Sequence, residues 1–528
     1  MRVLGTLALL LSTVTARGEE NATIYDGDWK PMATLDPSVQ HIPLNEAQRL
    51  LRPPPSQIPD SFNMFVGSSV FRDGYRCGKT LFTALKRAIH PERLHFGVLE
   101  QIYEGDPTCL EEYCKMAQAE WPDYGACRYK DQIKIDTRSA ADSAGCTTAR
   151  HLQQKLIQNE EFCLQVDGHS IFTNKWDENL LAEWTRIDNE MAVISVYPHH
   201  IHDGFVAENG DNNIPTTLPH LCTTIKGGNG LTRIVGASMI GGSKFPQLEA
   251  LWGGGLSFSK CHAERNVPID PHTPWLWDGE EFLRSADYWT HGYDLYSPSE
   301  LGNVLYHNYS SKPASFWASP IDPVKKELDT EMAQNRVRLR IGFPFKGNVD
   351  TFELEKYGFG EARTFQQYLK FANVSLEGDM NATNSCGQLH WVPYTNATVV
   401  EEIVGNGWKQ EDPEDDEGNV AEPTPLQQLP VEKGEVEEED LEIQRAAQRV
   451  AEAHVQNGAD IGEESVEKTM AQLRQKVASP MAQNASNAPA WVFLMVVVSA
   501  LFVTLSNDSN SRAIRRRCRL STSHTSIE

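Results

Sequence analysis

The chain has 528 residues and a formal net charge of −24. Residues 411 to 442 hold 14 acidic residues and one basic one, so −13 of that charge lies in one tract. The remainder is only mildly acidic, which excludes a nucleic-acid binder, and the ten cysteines form no CxxC or Cys/His ladder of a zinc module.

The N-terminus, MRVLGTLALLLSTVTARGEE, has one cation at Arg2, an apolar run from Val3 to Leu11 and small residues up to Ala16. It reads as a signal peptide cut after Ala16, because the run is shorter than the roughly 20 apolar residues of a membrane span. A retained signal anchor is the alternative. Residues 17 to 60 are Pro-rich and lack a period, as in an extended arm lying on the domain.

From residue 61 the pattern alternates. MFVGSSVF reads as a strand, CGKTLFTALKRAIHPERL as a helix, HFGVLEQIY as a second strand and KIDT as a third. TARHLQQKLIQNE reads as a helix, FCLQVD as a fourth strand, residues 176 to 186 as a helix and MAVISVYP as one more buried strand. Such alternation predicts a mostly parallel α/β sheet with ligands at the carboxyl ends of the strands. Residues 200 to 300, rich in Gly, Trp, Pro and His, read as loops around a site. Order returns with RVRLRIGF and the helical RTFQQYLKF.

Beyond Trp408 the acidic tract has too little apolar content for a core, and a helix-compatible stalk over residues 441 to 476 follows it. Ala488 to Leu505 carry no charge and precede Arg512, Arg515, Arg516, Arg517 and Arg519. This predicts one transmembrane helix over 488 to 506, with residues 507 to 528 cytosolic and the bulk of the chain lumenal. Cys518, in the basic tail, reads as a free thiol rather than a palmitoylation site. Sequons at Asn21, Asn308, Asn373, Asn381, Asn396 and Asn484 lie between the two apolar segments, as do nine cysteines. An odd number of cysteines on the oxidising side leaves at least one free thiol, and spacing does not give the pairing.

Four features carry chemistry. FCLQVDGHS ends a buried strand in Asp167, Gly168 and His169; residues two apart share a face, so the carboxylate and imidazole suit one Mn²⁺-like ion while Gly168 admits a diphosphate. A plain turn after a strand fits the triplet equally well, and a second Asp-x-His, Asp270 to His272, lies in a Pro-rich loop. In LWGGGLSFSK, Gly253 and Gly254 mark close approach by a ligand or a neighbouring strand, or else a tight turn. Asp278, Glu280 and Glu281 open a helix, where acids either cap it or orient a hydroxyl. His307 follows a short strand, and His199, His200 and His202 read as a loop.

Taken in order, FVGSSVFRDG, HPERLHFGVLEQ, ARHLQQKL, EEFCLQVDGHSIFTNKWDE, WGGGLSFSK, VPIDPHTPWLWDGEE, YWTHGYDLYSPSE and YGFGEARTFQQY resemble the UDP-GlcNAc:polypeptide N-acetylglucosaminyltransferase family over about residues 61 to 375. The resemblance implies a single Rossmann-like, type A nucleotide-diphospho-sugar transferase domain over 61 to 400. It implies retaining transfer of GlcNAc from UDP-GlcNAc to Ser, Thr or hydroxyproline of an acceptor polypeptide or glycoprotein in the ER or Golgi. By the family pattern Asp167, His169 and His307 hold the metal. Ser69, Arg72, Asp73, Arg150, Gly253 and Gly254 lie near the nucleotide, and Glu280, Asp278 and Glu281 are the catalytic carboxylates, with Glu280 matching the family's acid. The segment from Ser69 to Asp73 is one residue longer than the family's Ser-Tyr-Arg-Asp, and the C-terminal anchor replaces the usual N-terminal one. A catalytically silent sugar-nucleotide or glycan binder on the same fold is the competing reading, and a metallohydrolase the third.

Overall fold

The computed structural model describes residues 21 to 410 except 126, 202, 203, 237, 311 to 315, 317 to 321 and 377 to 383. These residues belong to one compact unit, Met1–Gly418. The signal peptide, acidic stalk, membrane span and basic tail expected from the sequence lie outside the described residues. Among the described residues no helix is long and apolar enough to cross a membrane.

In chain order the first half contains β1 (Ala22–Tyr25), β2 (Pro31–Leu35), β3 (Met64–Phe71), α1 (Gly74–Arg87), β4 (Leu94–Ile102), α2 (Cys109–Glu120), β5 (Ile133–Ser139), α3 (Cys146–Gln154), β6 (Phe162–Val166), β7 (Ser170–Phe172), α4 (Trp176–Ile187) and β8 (Ala192–Val196). The second half has β9 (Thr217–His220), β10 (Thr223–Lys226), β11 (Thr232–Val235), β12 (Ser238–Gly241), β13 (Gln247–Glu249), β14 (Leu256–Lys260), α5 (Cys261–Asn266), α6 (Glu280–Thr290), β15 (Asp294–Ser297), β16 (Leu305–His307), α7 (Pro323–Ile341), α8 (Phe365–Phe371) and α9 (Thr398–Val404).

A central sheet of eight strands runs β13-β15-β8-β14-β6-β3-β4-β5. Strand β3 pairs in parallel with β4 and β6, and β4 with β5. Largely buried, β3, β4 and β6 read as predominantly apolar runs, whereas β5 at the edge is mostly polar and exposed. In α1, Cys77, Leu81, Ala84 and Leu85 are buried, the spacing of one helical face.

The sheet is mostly parallel, as expected, with two reversals: β14 runs antiparallel between β6 and β8, and β13 runs antiparallel to β15 at the edge. The first residue of β14, Leu256, pairs with Val166 at the end of β6 and with Val196 at the end of β8. The chain turns back at residues 253 to 255, which places the glycines beside the carboxyl end of β6. The expected N-terminal arm differs: β1 and β2 join β12 and β9 in a four-stranded antiparallel sheet, whose core includes Ala22, Ile24, Leu35, Leu218 and Ile240. Much of the stretch expected as loops is short strand, too brief for a period to register in sequence.

Four disulfides join Cys77 to Cys109, Cys114 to Cys127, Cys163 to Cys261 and Cys222 to Cys386. Cys146 is the free cysteine among the described residues, so the expected odd thiol is present.

Candidate active site

The site forms where β6 ends. Buried Val166 is followed by Asp167, then Gly168 and His169 lead into β7, which pairs antiparallel with β16 in the register Leu305 to Phe172 and His307 to Ser170. That pairing returns His307 to Asp167 across 140 residues, with Nε2 2.9 Å from Oδ2. The His307 N–H donates to the His199 carbonyl at 2.9 Å, and the Asn308 N–H to the His169 carbonyl at 3.0 Å, so backbone bonds hold the group together. One donor atom from each of Asp167, His169 and His307 lies within 4.8 Å of the others.

Two features mark this cluster as a metal-binding candidate. The Nδ1 atoms of His169 and His307 are buried without hydrogen-bond partners, an unfavourable state for a polar atom. Donors about 2.0–2.2 Å from one divalent ion lie at most about 4.4 Å apart, so closing the observed spread takes a few tenths of an ångström. Burial pushes the Asp167 carboxyl upward, but the His307 hydrogen bond and the charges of His307, His169 and Arg150 outweigh it and hold the group well below the usual carboxylate range. Burial lowers the His169 imidazole to about 4, against the opposing pull of Asp167. The ring is therefore neutral near pH 7, with one nitrogen keeping its proton and the lone pair of the other open to a cation.

Beside the cluster opens a cavity of about 190 Å³ lined by Ser69, Phe71, Gln101, Cys146, Arg150, Asp167 and Trp277 among others. Ligand pockets usually occupy roughly 300–1,000 Å³, so this cavity is smaller than most. The Arg150 guanidinium donates to Glu280 Oε1 at 2.5 Å, with both side chains nearly buried, and lies 5.5 Å from the Trp252 ring centre. A Cβ on Gly254 would come within 2.2 Å of Arg150 Nη2, so a side chain there would have to push the guanidinium aside. Glu281 accepts the Gly254 N–H at 2.9 Å and bonds the Tyr197 hydroxyl. Gly253 exchanges hydrogen bonds with the Ser195 hydroxyl.

The structure thus groups Ser69, Arg150, Asp167, His169, Gly253, Gly254, Glu280, Glu281 and His307. Three other expected residues are engaged with protein partners of their own. Arg72, at φ 53°, makes a bidentate pair with Asp106 at 2.7 and 2.9 Å. Asp73 pairs with Arg76 at the start of α1. Asp278 accepts the Gly228 N–H at 2.9 Å and lies 3.6 Å from Arg233, shaping the β10–β11 turn. A Cβ built on Gly168 would lie 2.5 Å from Val70 of β3, so protein packing by itself favours a glycine there. In the second Asp-x-His, Asp270 pairs with buried Arg336 at 2.7 Å while His272 faces Asp350 and Glu353.

Gln101, Cys146, Trp277 and Phe316 line the cavity without having been singled out in the sequence. Gln101 lies near the carboxyl end of β4, where the rule for open α/β sheets points. The others come from loops or helix starts that carry no such signal.

Residues 111–378, just over half of the chain, match the model of the glycosyltransferase (GlcNAc) family. No curated protein sequence matches the chain. Among solved structures, GalNAc-T7 with UDP, GalNAc and Mn²⁺ is similar at 13% identity and a TM-score of 0.38, over 62% of this chain. This chain spans 60% of the length of that one. S. aureus TarS (1–349) with UDP-GlcNAc is similar at 12% identity and 0.32, over 56% of this chain and 69% of that one. The mannosyltransferase PcManGT from Pyrobaculum calidifontis, with GDP-Man and Mn²⁺, is similar at 10% identity and 0.31, over 61% and 76%. At such scores none of these three fixes the site. The family match encloses Arg150, Asp167, His169, Gly253, Gly254, Glu280, Glu281 and His307, and the chain belongs to the glycosyltransferase (GlcNAc) family.

Proposed function

We propose that this chain transfers GlcNAc from UDP-GlcNAc, with retention and with a divalent ion such as Mn²⁺, to Ser, Thr or hydroxyproline hydroxyls of secretory-pathway proteins. The observation that carries the reading is the Asp167, His169 and His307 cluster beside the cavity that Arg150 lines. When bound, the ion supplies charge neutralisation at the leaving diphosphate. Arg150 adds a fixed positive charge, held by Glu280 Oε1 and ready in place before the reaction.

The bond from the sugar C1 to the diphosphate oxygen breaks, and the acceptor oxygen bonds to C1 on the same face. The acceptor proton passes to the departing phosphate oxygen, so no protein base is required. Glu280 orients the acceptor or sugar hydroxyl with the oxygen that Arg150 does not use. Four disulfides support an oxidising compartment, in keeping with the N-terminal signal and C-terminal span read from the sequence. We assign the transferase domain from residue 61 through α9, whose Val400 and Val404 pack in its core, and the linker and stalk to the chain beyond the described residues up to 487.

The test is full-length protein with Mn²⁺, UDP-GlcNAc, UDP-GalNAc or UDP-Glc, and a Thr/Pro-rich peptide, read by UDP release and peptide mass. A metal-dependent gain of one N-acetylhexosamine from UDP-GlcNAc, absent with Asp167→Ala, is expected. UDP binding without turnover across acceptors would replace this reading with a sugar-nucleotide binder. Sugar release to water alone would indicate a hydrolase.

A further inference from the structure

Three elements converge on the turn at residues 253 to 255. From β8, Ser195 bonds both polar groups of Gly253; from β6, Gln165 Nε2 donates to the Gly254 carbonyl at 3.1 Å; from α6, Glu281 accepts the Gly254 N–H at 2.9 Å. Tyr197, one residue beyond β8, engages the other Glu281 oxygen, and its ring would lie 2.8 Å from a Cβ on Gly253. Both Glu281 oxygens are therefore committed to protein groups, which sets this acid apart from Glu280, whose partner Arg150 lines the cavity.

We propose that Tyr197 and Glu281 form a positioning clamp that fixes the glycine turn beneath the Arg150 guanidinium, and thereby sets how tightly a nucleotide diphosphate is gripped without touching it. The proposal rests on the reading that the cavity takes a sugar nucleotide. The physical argument is one of contact. Arg150 Nη2 packs against the Gly254 backbone closely enough to exclude a Cβ, so a displacement of the turn displaces the guanidinium. Without its Glu281 acceptor, the Gly254 N–H loses the bond that fixes its side of the turn, and an unpaired polar group in a part-buried site favours rearrangement. Glu281→Gln keeps one acceptor for Gly254 and offers an N–H to the tyrosine oxygen, so it should hold the turn where Glu281→Ala does not.

The experiment pairs two readouts on the full-length wild type and the Tyr197→Phe, Glu281→Ala and Glu281→Gln variants. Amide hydrogen exchange over residues 252 to 260 of the unliganded protein reads the turn. Calorimetry with UDP and Mn²⁺, together with KM and kcat for UDP-GlcNAc, reads the grip. Expected are at least tenfold faster exchange and about tenfold weaker UDP binding in Glu281→Ala, a smaller loss in Tyr197→Phe and near-complete rescue in Glu281→Gln. KM should rise with kcat within about twofold, whereas loss of folded protein would lower kcat at constant KM. Unchanged exchange over the turn would overturn the clamp whatever the binding data show. Faster exchange with unaltered UDP affinity would overturn its link to Arg150. Wild-type protein that binds no UDP would overturn the sugar-nucleotide reading and the grip with it, while the exchange data still judged the clamp itself.

Discussion

At the scale of single residues, the site depends on side chains whose surroundings change their ordinary chemistry. Removing a ligand from the Asp167, His169 and His307 cluster should cost activity by at least the roughly 10–100-fold seen when an outer-shell metal partner is lost. His169→Ala and His307→Ala should therefore show that loss in UDP release, with far-UV circular dichroism unchanged. Burial raises the Cys146 thiol to about 12, with Glu280 adding to the rise and Arg150 opposing it. At pH 8 its thiolate is then about a thousand times scarcer than that of a thiol at the reference value of 9.0. Iodoacetamide should label Cys146 only after denaturation, as peptide mass mapping would report. Glu281 is pushed up to about 7, first by burial and then by the charge of Glu280, from an ordinary 4.5. The folded state keeps a proton that the unfolded chain releases. Its contribution to stability is complete below about pH 4.5 and is lost as the pH rises through about 7. Urea midpoints of Glu281→Gln should accordingly fall less than those of the wild type between about pH 5 and 8.

At the scale of elements, the site is made by the order in which strands meet. The buried run that ends at Asp167 was legible in sequence, because apolar continuity and the polar break after it are local. The approach of His307 was not: it depends on β16 finding β7 across the fold, and a three-residue strand has no period of its own. The direction of β14 was also hidden, since alternation tells which residues share a face but not which way a strand runs. Asp278, Glu280 and Glu281 share one helix start in sequence, yet their roles separate because β10–β11, α3 and the glycine turn each contact a different one. Gly254→Ala should drive Arg150 aside, since its guanidinium is the flexible partner in a 2.2 Å overlap, and so weaken UDP binding by calorimetry more than it lowers Tm. The Cys163–Cys261 bridge closes 98 residues and ties β6 to α5. Replacing both cysteines by alanine should cost about 2–5 kcal/mol, measured by urea unfolding.

At the scale of the whole molecule, one unit carries the mixed sheet, the cavity and the four disulfides, while the segments expected to target and anchor the chain lie outside the described residues. Composition and terminal patterning alone suggested a secretory address, and disulfides persist in the oxidising compartment proposed for this unit. The sequon at Asn308 adds a constraint, because the Asn308 N–H is bonded to the His169 carbonyl and its Oδ1 accepts the Ser310 N–H at 3.0 Å. A glycan there would crowd the metal-binding candidates. Glycopeptide mass spectrometry of active enzyme should find Asn308 bare, and a glycan there would argue against His307 as a ligand. The central claim is that Asp167, His169 and His307 hold one divalent ion beside a sugar nucleotide. The most direct test is electron paramagnetic resonance of Mn²⁺ titrated with the full-length protein in the presence of UDP. The account predicts loss of the free Mn²⁺ signal at one equivalent per chain, and no such loss with His169→Ala. Equal Mn²⁺ binding by wild type and variant, or none by either, would contradict it.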